Sequence, residues 1–344
     1  MSNLYFLIHS LKGRSGTERV TCQLANIFDN FGYKVIILNL DTPKNSVAFD
    51  INDTVDIVHF SGSIFNLLRK LKSLNEKDIL FIQNMERLAL LTLLLKPQSK
   101  NICLEHGVFF VKSKFGKLLT QYLYPRLDAL VTITYADAEN YLRFLDRNKV
   151  HTIYNSTPFS PENITYNFAS KKIIAVGRLS TEKNFSALIH AWSFIYHEYP
   201  DWCLEIYGDG PEDHTLKNLI KELTLQNVTI KENSNNIAEV YKNASFLVQT
   251  SKFEGLGMVL IEAQSFGLPI IAYDCPYGPA EIISHSHNGF LVEPNNISLL
   301  VKNIKKLMSS QELCEEMSVA AIKSVSKFDT YHVNDKWLRL FNKF

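Results

Sequence analysis

The sequence predicts an α/β protein of two Rossmann-like, doubly wound parallel-sheet domains facing a central cleft. Three observations carry that expectation. Apolar runs of strand length alternate with helix-length amphipathic segments along the chain. The runs are apolar on both faces, as strands covered by helices on both sides must be. A non-periodic stretch at 153–168, rich in Asn, Ser, Thr and Pro, then interrupts the alternation at mid-chain.

The runs read as strands are 4–9, 34–40, 57–60, 79–83, 101–105 and 129–134, followed by 172–176, 202–207, 228–230, 244–249, 270–273 and 289–292. Helix 17–31, with Val20, Leu24, Ile27 and Phe28 on one face, is the clearest of the intervening segments. Twelve such strands are too many for one compact domain of this type. The expected division is 1–155, 156–324 and a C-terminal helix at 325–344 that returns to the first domain. Ligands of such sheets bind at the carboxyl ends of the strands, so the chemistry is expected in the loops there.

Composition narrows the class. A chain of 344 residues, 46% apolar and 21% charged, is long enough for two ordinary soluble domains. A net charge of +1 gives no argument for nucleic acid. Residues 1–155 nevertheless carry 19 Lys and Arg against 14 Asp and Glu, and the remainder 17 against 21. A basic first half suits an anionic partner there, or is simply a solvated face. Cys22, Cys103, Cys203, Cys275 and Cys314 are scattered without a C-x-x-C pair, which reads as reduced thiols in the cytoplasm rather than a disulfide frame or zinc site. The apolar start has no basic leader or cleavage site and reads as a first strand. The densest apolar stretch, 88–95, is too short to cross a bilayer, so any membrane contact is expected to be peripheral.

Six segments carry candidate chemistry. Residues 251–263 follow a buried run and lead into a helix expected near Leu256. Gly255 and Gly257 permit close approach of a ligand, and the helix start offers free N–H groups to an anion. Glu254 stands at the strand end and Glu262 on an otherwise apolar helix, where a buried carboxylate needs a hydrogen-bonding partner; sugar hydroxyls would serve. A first-turn acid and an exposed Glu262 are the plainer readings. Residues 175–184 place Arg178 and Lys183 between the strand ending at Gly177 and a helix at 185–196, a pair of cations suited to a diphosphate or merely a solvated loop. Gly208 and Gly210 mark another strand-to-helix turn, and Gly16 closes the loop from Gly13 to Glu18. His106 follows a strand end, where it could bond a sugar hydroxyl, act as a cap or simply be exposed. Residues 109–126 interleave Lys112, Lys114, Lys117 and Arg126 with Phe110, Phe115, Leu118, Leu119, Tyr122 and Leu123, a basic amphipathic helix suited to lipid head groups or to packing on its own domain.

Together these residues resemble the family 4 retaining glycosyltransferases of GT-B fold. The matching elements run in order: Gly16-Thr17-Glu18, Glu105-His106, Tyr154-Asn155, Gly177-Arg178 with Glu182-Lys183-Asn184, Gly208-Asp209-Gly210, and the Glu254/Glu262 pair. The resemblance implies an acceptor-binding first domain and a donor-binding second domain. It implies that Arg178 and Lys183 hold the donor diphosphate, Glu254 the sugar hydroxyls and Glu262 the ribose. The amides of Gly255, Leu256, Gly257 and Met258 would face sugar and phosphate, with Gly16 and His106 approaching from the first domain. Ser15 replaces a usual glycine, and Thr134 stands where Ser is common.

The segment 274–283 with Asn288-Gly289 resembles bacterial members that build O-antigen, capsule, lipopolysaccharide core or teichoic acid. The resemblance implies a UDP-hexose donor, a saccharide or undecaprenyl-diphosphate-linked saccharide acceptor, and a cytoplasmic enzyme at the inner face of the inner membrane, with 109–126 touching anionic lipid. No D-x-D sequence occurs, so no metal or other cofactor is expected beyond the UDP-sugar co-substrate. The alternatives are a UDP-sugar 2-epimerase of the same architecture, a non-catalytic glycosyltransferase subunit and a two-lobed solute-binding protein.

Overall fold

The computed structural model describes residues 3–12, 16–41, 47–83, 86–161, 166–234 and 236–344. The chain forms two compact units, Met1–Tyr154 with Asn334–Phe344, and Asn155–Val333. Both are α/β with wholly parallel sheets.

The first unit holds β1 (Asn3–Ile8), β2 (Lys34–Asn39), β3 (Asp56–His59), β4 (Ile79–Gln83), β5 (Lys100–Glu105), β6 (Ala129–Thr132) and β7 (Val150–Thr152). Their order across the sheet is β3-β2-β1-β4-β5-β6-β7. The chain winds one way from β1 to β3 and the other way from β4, so the switch point lies between β1 and β4. Strand alternation sends β1 side chains to two cores. Tyr5 and Leu7 join Leu80, Ile82, Cys103, Tyr124 and Tyr141 on one face. Phe6 stacks on Phe81 at 4.8 Å between centroids on the other. That second face is closed by the C-terminal helix Thr330–Phe341, whose Phe341 ring lies 5.2 Å from Phe28 and whose Trp337 meets Phe81 edge-on. Each such buried aromatic contributes roughly 1.5–3 kcal/mol.

The second unit holds β8 (Lys172–Val176), β9 (Cys203–Tyr207), β10 (Val228–Lys231), β11 (Phe246–Gln249), β12 (Ile270–Tyr273) and β13 (Gly289–Val292), ordered β10-β9-β8-β11-β12-β13. Here the winding reverses between β8 and β11. The loops that leave those two strands, 177–184 and 250–257, therefore meet at the switch point. Trp192, Trp202 and Phe246 anchor the core beneath.

The twelve expected runs are strands, and β7 is a thirteenth among the described residues. Its three half-buried residues, Val150, His151 and Thr152, include one aliphatic side chain, so no apolar run marks it. Thr134 lies beyond β6, where its side chain accepts from Asp137 N and caps helix Tyr135–Tyr141. The segment 109–126 departs from expectation: it is not one basic helix. A single turn at Phe109–Val111, a helix at Lys114–Leu123 and a turn at Tyr124–Arg126 replace it. Lys112 is extended between the first two (φ −60°, ψ 143°), because its side chain turns inward rather than along a solvent-facing helix.

Candidate active site

Within the second unit, β11 ends at Gln249 and the chain turns through Ser251 and Glu254 to Gly257. Gly257 takes φ +88°, a left-handed conformation that would cost another residue about 1–2 kcal/mol, and it opens helix Met258–Ser265. The helix starts two residues later than Leu256. All its residues from Leu260 to Ser265 are buried. Glu254 is 8% exposed and one oxygen carries its contacts. Oε1 accepts from Lys183 Nζ, Gln249 Nε2 and Ser251 Oγ, each at 2.6 Å. Lys183 arrives from the loop after β8, its stem packed over Gly177. Arg178 on the same loop is exposed.

The glycines of the next loop act sterically. A Cβ on Gly208 would lie 1.9 Å from the Gly177 carbonyl oxygen, and one on Gly210 would lie 2.3 Å from that of Leu179. The two loops interlock, with Gly177 N donating to Tyr207 O and Leu179 N to Asp209 O. Gly208 and Gly210 thereby shape the loop that bears Arg178 and Lys183. Glu262, 9% exposed, accepts from Tyr241 Oη at 3.0 Å, so its protein partner comes from helix Ile237–Lys242. Cys275 is buried near this group; burial, with the Glu254 charge adding, pushes its thiol up to about 12 and keeps it protonated.

The first unit has its own polar cluster at the carboxyl ends of β4 and β5. His106 Nε2 hydrogen-bonds Gln83 Oε1, and burial pushes its imidazole down to about 4, so it is neutral near pH 7. With the carboxamide oxygen accepting, Nε2 carries the proton, and among the described residues neither Nδ1 nor Gln83 Nε2, both buried, has a hydrogen-bond partner. Beside it Glu105 accepts from Lys112 Nζ at 3.1 Å and Tyr124 Oη at 2.6 Å, all three being buried side chains. Asp137 Oδ1 accepts from Phe109 N at 2.9 Å, and burial pushes its carboxyl up to about 6. These two acids hold the turn at Phe109–Val111, which explains why the basic segment breaks there. Gly16 opens helix Gly16–Asn30; Gly13, Arg14 and Ser15 of the same loop lie outside the described residues.

The tertiary structure thus brings Lys183 and Glu254 into contact and places Gly177, Arg178, Gly208, Gly210 and 255–258 on the surrounding loops of one unit. Gly16 and His106 belong to the other. Sequence reasoning missed Gln249, Ser251 and Tyr241. A glutamine ending an otherwise apolar strand was the available signal for the first. It also missed the Glu105–Lys112 pair, for which spacing along the chain offers no cue. Among the described residues no three His, Cys, Asp or Glu side chains gather as metal ligands, and no helix is long and apolar enough to cross a membrane.

The family model for group 1 glycosyl transferases matches residues 160–324. An uncharacterised glycosyltransferase of Haemophilus influenzae is 30% identical over 92% of the chain and 94% of its own length. The amylovoran biosynthesis glycosyltransferase AmsD of Erwinia amylovora is 28% identical over 99% and 100%. The crystal structure of Anabaena HepE in complex with UDP-glucose superposes with a TM-score of 0.80 over the full length of both chains at 17% identity, a likeness of fold.

Proposed function

The chain belongs to the group 1 glycosyl transferases of GT-B fold, and from that premise we propose that it moves a hexose from a UDP-sugar to a saccharide acceptor, with retention at the anomeric carbon. The observation that carries this reading is the meeting of Lys183 with Glu254 at the switch point of the second sheet, on a loop that also bears the exposed Arg178. A nucleoside diphosphate sugar needs such a pairing of opposite charges: cations for the diphosphate, a carboxylate for the hydroxyls.

In this reading Arg178 and Lys183 take the diphosphate and stabilise it as it departs. The amides at 255–258 add a helix N-terminus, and losing one such donor can cost on the order of 10²–10³ in rate. Those fixed charges serve in place of a metal. Glu254 orients the sugar, and Glu262, steadied by Tyr241, takes the ribose. The bond from the anomeric carbon to the diphosphate oxygen breaks as the acceptor oxygen forms its own bond on the same face. The departing phosphate oxygen receives the acceptor's proton.

The acceptor is a growing bacterial surface polysaccharide, carried on undecaprenyl diphosphate at the cytoplasmic face of the membrane. Helix Lys114–Leu123 supports a membrane contact by what it leaves outside: it buries Gly116, Thr120 and Leu123 while exposing Phe115, Leu118 and Tyr122. Lys117 sits 5.2 Å over the Phe110 ring and Arg126 5.4 Å over Tyr122. No Asp or Glu occurs between Glu105 and Asp128, so this apolar, cationic surface suits anionic lipid.

The test is a thermal-unfolding screen of UDP- and GDP-sugars. A ligand at 100 times its Kd adds about 2.7 kcal/mol of stability. Protection by a UDP-hexose, followed by its transfer to an acceptor, supports the reading, and protection by no nucleotide sugar ends it. Consumption of donor without acceptor would mark an epimerase instead.

A further inference from the structure

We propose that Gln249 is a positioning residue for the sugar end of the donor site: its carboxamide holds Glu254 so that Oε1 is engaged and Oε2 faces the sugar. This rests on the reading of Glu254 as the sugar-binding carboxylate.

The contacts of Glu254 are strongly unequal. Oε1 accepts from Lys183, Gln249 and Ser251, all at 2.6 Å, whereas Oε2 has no hydrogen bond among the described residues. A carboxylate held by one oxygen in this way presents the other at a defined angle to an incoming hydroxyl. The three donors differ in character. Lys183 is a flexible side chain with 23% of its surface exposed, and its charge has a second claimant in the diphosphate. Ser251 and Gln249 are 1% and 5% exposed and fixed to the end of β11. They are the contacts that persist if Lys183 turns to the phosphates.

Packing does not require an amide at 249. The three preceding residues of β11, Phe246, Leu247 and Val248, are buried and apolar, and leucine or methionine would fill the same space. The amide instead carries a penalty, since Gln249 Oε1 is buried with no hydrogen-bond partner among the described residues. Its orientation is not free to relieve this. Flipping the carboxamide would set its oxygen against the Glu254 carboxylate. A strand end that accepts a stranded carbonyl in order to aim one N–H at a carboxylate is organised around that carboxylate. Gln249 also stands at the winding reversal, where β11 lies beside β8, so a small shift there moves the group that meets the ligand.

Two variants test this. Gln249→Met keeps length and bulk without the N–H; Gln249→Asn keeps the amide but withdraws it by one methylene. Binding of UDP and of UDP-glucose, UDP-galactose and their N-acetylamino forms is measured by calorimetry for both and for the wild type. Loss of a hydrogen bond to a charged group is worth about tenfold to a hundredfold in affinity. The expected result is that loss for the UDP-sugar preferred by the wild type, with UDP itself bound within about twofold of wild type and a raised KM for donor. Equal losses for UDP and UDP-sugar, or no loss for either, overturn the proposal, because a purely structural role moves both ligands together. Should the Met variant fail to fold, the Asn variant alone decides. A wild type that binds none of these UDP-sugars refutes the donor reading instead, and the two failures are thereby distinct.

Discussion

Lys183 Nζ lies 2.6 Å from Glu254 Oε1, so the cation proposed for the diphosphate and the carboxylate proposed for the sugar form one ion pair. The pair joins the loops after β8 and β11, which are 71 residues apart in sequence and adjacent only at the switch point. It ties the two halves of the donor chemistry to a single geometry.

Replacing Lys183 with alanine should separate function from folding. Glu254 keeps its hydrogen bonds from Gln249 and Ser251, so the unfolding midpoint should fall only by a few degrees. Donor-dependent kcat/KM should fall on the order of 10²–10³ or more. Near wild-type transfer by both Lys183→Ala and Glu254→Ala would remove the site assignment.

Gly208→Ala probes the interlocked loops. A methyl group placed 1.9 Å from the Gly177 carbonyl oxygen forces the 177–183 loop to move. Overpacking of this kind costs about 1–3 kcal/mol, read in urea unfolding, and UDP affinity should fall with it. Unchanged stability and binding would show that the loop yields without consequence.

The buried Glu105–Lys112 pair makes a sharper prediction about stability. Lys112→Met leaves Glu105 buried without its counter-charge and should cost about 3–5 kcal/mol. The double variant Glu105→Gln/Lys112→Met should recover much of that loss. A double variant as unstable as the single one would mean that the pair is not what holds the turn.

Asp137 gives the first unit a pH signature. Its carboxyl is pushed from 3.8 up to about 6, so the folded state holds the proton more tightly than the unfolded chain. Its contribution is full below pH 3.8 and is lost as pH rises through 6. Asp137→Asn removes that loss and keeps an acceptor for Phe109 N. The variant should therefore gain on the wild type between pH 4 and pH 7, by up to about 3 kcal/mol in urea unfolding at the two pH values. His106 works in the opposite direction. Its imidazole, pushed down to about 4, favours folding as pH rises from 4 to 6.5. A stability difference between Asp137→Asn and wild type that does not change with pH would exclude the shift.

The outward face of helix Lys114–Leu123 predicts lipid binding. Phe115→Ser with Leu118→Ser removes two exposed apolar side chains, each worth about 1.5–3 kcal/mol if buried in a bilayer. Co-sedimentation with vesicles of anionic phospholipid should fall at least tenfold, while neutral vesicles bind neither protein well. Equal sedimentation of variant and wild type would discard the membrane contact.

Periodicity alone settled much of this protein. Runs apolar on both faces and separated by helices form parallel sheets, and twelve of the thirteen strands among the described residues were legible as apolar runs: burial demands apolar residues along the central strands, and the more exposed β3 and β10 still carry Ile57, Val58, Val228 and Ile230. β7 escaped because its three residues, Val150, His151 and Thr152, include a single aliphatic side chain and form no apolar run. The glycines and acids of 175–184, 208–210 and 251–263 were legible because loop chemistry at strand ends is written locally. Pairings between distant loops were not. That Glu254 would meet Lys183 depends on the winding reversal between β8 and β11, and only that meeting adds a cation to the oxygen already held by its near neighbours Gln249 and Ser251. That Glu262 would find Tyr241 depends on a neighbouring helix. Lys112 turned inward, breaking the expected basic helix, because Glu105 and Tyr124 offered a buried partner that no local spacing announces. A residue's neighbours along the chain determine its secondary structure; its hydrogen-bonding partners are decided by which strand ends the fold brings together.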